Sequence, residues 1–344
     1  MSSESRRGLR IALSFTAAFV AAELLRLDLQ LTFLAPLLAG TLASGPAPGL
    51  ARLLALSLIA WLLVATAGLF MQFLAGEPVV LCLLSLWLFY LGFKLFEDPH
   101  KATLGLLLLI VFAIVPQTLI KGPELAGDLA RWFALNFGIA AGAEWATRWL
   151  LPDVEVVGEV PRRPQLPPLI SALALLVAVI LTAAVKPPAP GAVIIGVIIV
   201  LRADGETAAN VIRDRFIAAL VGGATAVFVW EILWLAPSLP VLTTSILFAS
   251  WLFAARIAAG GAQVGVAMKS LNVLAILMGE GFSVFYEDTD DRIWTRLGGV
   301  VIGLCYAALV LTVTRHFVEP KDGPHIGSLH RDSSSGRAAG ETLV

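Results

Sequence analysis

The chain has 344 residues, 58% of them hydrophobic and only 14% charged, with a mean hydropathy of +0.87 and a formal net charge of -1. A soluble domain carries about 25% charged residues and needs polar side chains over its whole surface. Here the polar residues sit in short strips between apolar runs, which excludes an ordinary soluble fold, and the near-zero charge gives no sign of a nucleic-acid partner.

Arg6, Arg7 and Arg10 precede or open an apolar run that ends near 25. Many further runs follow, so this is read as an uncleaved first membrane helix and not as a cleaved signal peptide. The runs lie near 9–25, 31–45, 50–75, 78–96, 102–120, 129–151, 168–186, 190–203, 208–235, 239–257, 262–281 and 293–316. Measured against the roughly 20 residues that span a bilayer core, they predict an all-α polytopic membrane bundle of about twelve helices. Barrel strands would show as short alternating segments, and these runs are long and continuous.

Residues 152–167, PDVEVVGEVPRRPQLP, interrupt the chain near its midpoint with four prolines and mixed charges. They are read as a cytoplasmic linker between a first transmembrane repeat, 1–151, and a second, 168–317. Residues 318–344 are polar, Gly/Ser-rich and aperiodic, as in a disordered cytoplasmic tail. The halves match at an offset of 161 to 162 residues: Arg52 with Arg213, Pro78 with Pro240, Lys94 with Arg256, Arg131 with Arg292, Gly138 with Gly299 and Gly142 with Gly303. These matches predict two tandem six-helix repeats.

With both termini in the cytoplasm, most of the 24 Lys and Arg fall on the inner side, as the positive-inside rule requires. A rival arrangement makes the short second and eighth segments re-entrant, which leaves five crossings per half and inverts the second repeat; it sorts the positive charges less well. Both short segments are interrupted by Pro or Gly, with Pro36 and Gly40 in one and Pro187, Pro188, Pro190, Gly191 and Gly196 in the other. Paired broken segments are the best sequence pointer to a transporter's central site, so the substrate path is expected between them.

Charges within membrane segments are expensive and mark functional candidates. Lys269, with Ser270 and Asn272 beside it, would suit an organic anion, although its stem is long enough to snorkel to the surface. Glu144 has Arg148 one turn later, the spacing of a structural ion pair and also of a proton-carrying carboxylate. Glu231, between Trp230 and Trp234, lies near the outer boundary and is a weaker proton candidate. The stretch from Arg202 and Asp204 to Arg213 reads as a charged cytoplasmic turn, after which Ala218, Gly222 and Ala226 present small residues for close helix contact. Asn136 and Gln117 read as interhelical hydrogen bonders. Cys82 and Cys305 lie in apolar runs and the four histidines lack metal-ligand spacing, so neither a disulfide, a metal nor a cofactor is expected. No catalytic cluster is visible, and the chain is not read as an enzyme.

The stretch 190–223, PGAVIIGVIIVLRADGETAANVIRDRFIAALVGG, has a proline-led apolar run, a polar turn, arginines and a glycine-paired helix. It resembles the repeated element of the fusaric acid resistance and aromatic acid exporter family. The first half carries a worn version, APLLAGTLASGPAPGLARLLALSLIAWLLVA, with Arg52 at the matching place. The resemblance implies a bacterial inner-membrane exporter of small aromatic or amphipathic organic acids, driven by protons and working with a periplasmic adaptor protein. The chain departs from larger members in having no large cytoplasmic domain between its halves. A passive channel, or a structural membrane subunit of an efflux assembly, is the alternative, and a homo-oligomer stays open.

Overall fold

The computed structural model describes residues 2–25, 33–44, 50–74, 76–98, 101–119, 125–152, 166–185, 190–201, 208–261 and 263–281, with 298–299, 301–303, 305–306, 308–310 and 312–313. The described residues form helices and no strand. These are α1 (Ser3–Leu24), α2 (Leu34–Ser44), α3 (Leu50–Leu74), α4 (Pro78–Phe96), α5 (Ala102–Leu119), α6 (Leu125–Leu150), α7 (Pro168–Val185), α8 (Pro190–Leu201), α9 (Ala208–Leu235), α10 (Leu239–Ala259) and α11 (Val264–Gly281), followed by helical residues within 298–313. Prolines open several of them: α7 and α8 begin at Pro168 and Pro190, and α4 and α10 carry Pro78 and Pro240 in the first turn. A missing N–H does no harm there, because the first turn has no intrahelical acceptor for it.

Five described stretches are long and apolar enough to cross a membrane: Leu53–Leu74, Pro78–Phe96, Pro168–Val185, Arg213–Leu235 and Leu239–Ala259. Their outer faces expose Leu58, Phe73, Leu83, Trp87, Phe228 and Leu235. Such a surface would drive association in water and is ordinary against lipid. The chain is a helical membrane protein.

Two long helices, α1 and α6, are built differently. At 22 and 26 residues they rise about 33 and 39 Å, yet α1 buries Arg10, Ser14 and Thr16, and α6 buries Asn136, Glu144 and Thr147. Neighbouring helices shield them from lipid, so their inward faces can afford polar side chains provided each finds a partner.

Among the described helices, three contacts recur six helices later. The contact of α1 with α2 recurs as α7 with α8, that of α3 with α5 as α9 with α11, and that of α4 with α5 as α10 with α11. Between the halves, α1 packs on α10 while α7 packs on α4, and α2 meets α11 while α8 meets α5. Tyr306 Oη donates to Ala174 O of α7 at 2.9 Å.

Several contacts fix which helix ends lie together. A Cβ on Gly8 would come within 3.3 Å of Ala254 O near the end of α10. Arg7 and Arg10 reach the carbonyls of Ser44 and Ala43 at the end of α2, and Arg148 of α6 reaches that of Leu42. The start of α1 and the ends of α2, α6 and α10 share one end of the bundle.

Small residues set the closest approaches. A Cβ on Gly222 would sit 2.6 Å from Ser270 O of α11, and Ala218 and Ala226 on the same face are buried; the small-residue face expected on α9 is the seat of α11. Gly303 lies against Val193 O of α8 in the same way. Its counterpart Gly142, and Gly138, instead have nothing among the described residues within 4 Å of a Cβ. Among the described residues, Gly303 of the two paired glycine spacings makes a close helix contact and Gly138 and Gly142 make none. Between α10 and α11 the chain turns at Gly260 and Gly261, whose φ values of 77° and 83° disfavour any residue with a Cβ.

Candidate functional site

The eleven residues of α2 rise about 16 Å, half the thickness of a hydrocarbon core. A helix that ends inside a bundle leaves its first N–H and last C=O groups without intrahelical partners, and lipid supplies none. Neighbours supply them here. At the start, the Ala35 N–H donates to Asn136 Oδ1 of α6 at 3.1 Å, while Asn136 Nδ2 donates to Trp132 O at 2.9 Å. At the end, three successive carbonyls each accept from an arginine: Leu42 O from Arg148 Nη2 at 3.1 Å, Ala43 O from Arg10 Nη2 at 3.1 Å and Ser44 O from Arg7 Nη2 at 2.9 Å. Three guanidinium groups also face the negative end of the helix dipole, the favourable polarity. Gly40, midway along α2, lets Phe15 of α1 and Leu271 of α11 approach it.

Glu144 belongs to this assembly. Its side chain is 0% exposed, it pairs with Arg148 on its own helix, and it accepts from Ser14 Oγ of α1 at 3.1 Å. The carboxylate neutralises and orients the arginine that caps α2, and the Ser14 bond ties α6 to α1. Asn136, read from sequence as an interhelical hydrogen bonder, has that role. What the sequence reading missed is the stripe Arg7, Arg10 and Ser14. Their spacing of three and four residues along an apolar helix is the signal that could have found it.

A second charged group joins α9 to α11. Lys269 Nζ lies 3.8 Å from Asp214 Oδ2, with both side chains largely covered at 17% and 18% exposure. Arg213, 69% exposed, places Nη2 3.6 Å from the other oxygen of Asp214. Lys269 is therefore held between helices by a carboxylate that the sequence reading had passed over as part of a turn. Ser270 beside it is buried and donates to Val266 O, and Asn272 is half-buried.

The remaining predicted residues scatter. Pro36 is buried in the first turn of α2, and Pro190 opens α8. Glu231 is exposed on the last turns of α9, beside exposed Trp234, a boundary position. Arg202 and Asp204 lie outside the described residues, as do Pro187, Pro188, most of the linker (153–165), residues 282–297 and the tail from 314. On the expected route, Leu34, Leu38 and Ala39 of α2 and Ile194, Val197 and Ile198 of α8 are buried in one apolar cluster. Among the described residues no group of His, Cys, Asp or Glu is arranged to hold a metal.

A family model described as Protein of unknown function (DUF2955) matches residues 7–141. No curated protein and no solved structure matches the chain. The DUF2955 span runs from Arg7 through α1 to α5 and into α6. It contains Arg10, Ser14, all of α2 and Asn136, and stops three residues before Glu144. Most of the framework that holds the short helix thus falls inside the matched span, and the Lys269–Asp214 pair falls outside it.

Proposed function

We propose that the protein is a secondary transporter of the bacterial inner membrane that exports small aromatic or amphipathic organic acids. The observation that carries this reading is α2, a half-length helix that starts deep in the bundle at Asn136 and ends at an arginine cap, with short, buried α8 six helices later. Broken helices at matching positions bring backbone ends to mid-membrane, where an anion can use them. The resemblance to aromatic acid exporters supports the substrate class, the coupling to protons and a periplasmic adaptor.

The proposed plan has twelve crossings in two like-oriented repeats with both termini in the cytoplasm. An even number of passes between the start of α1 and the end of α6 is what a six-crossing half requires, and their meeting at one end supports it. The end of α10 lies there too, as it would if the second half began on the same side. The arginines at this end fit a cytoplasmic face.

In this mechanism the substrate carboxylate exchanges with Asp214 for Lys269. The two ends of that pair then respond oppositely. Lys269→Ala should lower export by about tenfold or more, the worth of a charge-assisted hydrogen bond, at unchanged membrane abundance. Asp214→Asn should lower the substrate concentration for half-maximal export. Parallel losses in both variants would mark the pair as structural.

One observation favours a passive channel or structural subunit: Glu144, the buried interior carboxylate, is engaged by Ser14 and Arg148 and is poorly placed to carry protons. Accumulation of labelled aromatic acids in cells with and without the protein, each with a protonophore, separates the readings. Uphill efflux that collapses with the protonophore is expected. Downhill flux alone would mean a channel, and no flux a structural part.

A further inference from the structure

We infer that the arginine-lined pocket at the start of α1 binds a phosphate group, carried by an anionic phospholipid headgroup or free in solution. The pocket has a volume of about 120 Å³ and is lined by Ser3, Glu4, Arg6, Arg7 and Arg10 of α1, by Leu151 and Pro152 after α6, and by Ala258 of α10. Three arginines line it against one glutamate. The space equals about four water molecules, enough for a phosphate group. It lies at the start of α1 and past the end of α6, apart from the expected path between α2 and α8, and it does not depend on the transport reading.

Two observations point to an oxyanion. The Nε of Arg7 is buried and has no hydrogen-bond partner among the described residues, although its Nη2 is spent on Ser44 O. A buried donor without an acceptor is destabilising, and an oxyanion in the adjoining pocket supplies the acceptor. Arginine's fixed fork of donors suits phosphate oxygens better than a single chloride. The pocket also sits at headgroup level. Trp145 and Trp149, just over one turn and one residue before the end of the helix that leads to it, are 54% and 78% exposed, as indole rings are at the membrane boundary. Basic pockets between helix ends at that depth are where anionic headgroups bind. Because the lining comes from α1, α6 and α10, an occupant braces three helix ends together.

The test uses the purified full-length chain in neutral detergent, with ionic strength held constant by chloride. Its thermal unfolding midpoint is followed against inorganic phosphate, against phosphatidylglycerol and against zwitterionic phosphatidylcholine. A saturable rise with phosphatidylglycerol and not with phosphatidylcholine is expected; a rise with inorganic phosphate as well means that free phosphate enters too, and a rise with phosphate alone names that as the ligand. In each case Arg7→Gln should weaken the apparent affinity about tenfold. Since Arg7 also caps α2, exposed Arg6→Gln, which leaves that cap intact, must weaken it as well, while Arg131→Gln, on an exposed cation at the other end of α6, must not. No rise with any additive, or a rise equal in the Arg6 variant and the parent, overturns the inference.

Discussion

Glu144→Leu is expected to lower the unfolding free energy by about 3–5 kcal/mol, the usual loss when one member of a buried ion pair is removed. The carboxylate is fully covered and holds Arg148, which in turn holds Leu42 O; Arg10 adds its charge nearby. Without Glu144, Arg148 and Arg10 lose this counter-charge inside the bundle, and Ser14 loses its acceptor. Denaturant unfolding of the purified protein in mild detergent measures the effect. The double variant Glu144→Leu/Arg148→Met should recover part of the loss, because the uncompensated guanidinium is gone, but not all of it, because Leu42 O then has no donor. Glu231→Leu, on an exposed site, should stay within about 0.5 kcal/mol. A loss below about 1 kcal/mol for Glu144→Leu would mean that water reaches this carboxylate.

The second large effect is expected at Gly222. An alanine there would put its Cβ 2.6 Å from Ser270 O, and a backbone oxygen cannot rotate away, so α9 and α11 must separate. Overpacking of this kind costs about 1–3 kcal/mol. Asp214 and Lys269 sit on the same two helices, so separation should also loosen their ion pair, and Gly222→Ala should impair stability and any Lys269-dependent export together. Gly138→Ala is the matched control. Its site is open, and alanine favours helix over glycine by up to about 1 kcal/mol, so no loss is expected. Equal behaviour of the two variants would remove close packing as the reason for glycine at 222.

The contrast between these glycines shows what was legible in the sequence. Long apolar runs foretold the helices, and the small-residue spacing around Gly222 foretold a helix contact, because both depend on neighbours within one helix. The pairing of Gly138 and Gly142 with Gly299 and Gly303 was visible as spacing, but spacing does not say which face meets a neighbour; α6 turns Asn136 and Glu144 inward and leaves the two glycines open. The brevity of α2 was foreshadowed by Pro36 and Gly40. The means of satisfying its ends was not, because Asn136 lies 101 residues from Ala35 and Arg148 lies 106 from Leu42. Glu144 and Arg148 were readable as an i, i+4 pair, whereas Ser14, 130 residues away, completes the group only through folding. Asp214 was overlooked because an aspartate between two arginines looks complete by itself, and its partner on α11 is set by tertiary packing.

The packing of α1 on α10 bears on how the polypeptide is made. When α1 enters the bilayer its polar stripe faces lipid or the insertion machinery, since Glu144 is still 130 residues from synthesis and Ser250, which meets Thr16, is 234 residues away. The nascent chain must shelter α1 while α2 to α9 are made, before α10, the last of its neighbours, arrives. A ribosome that stops after the midpoint would release a fragment with one side of α1 uncovered, a natural target for membrane quality-control proteases.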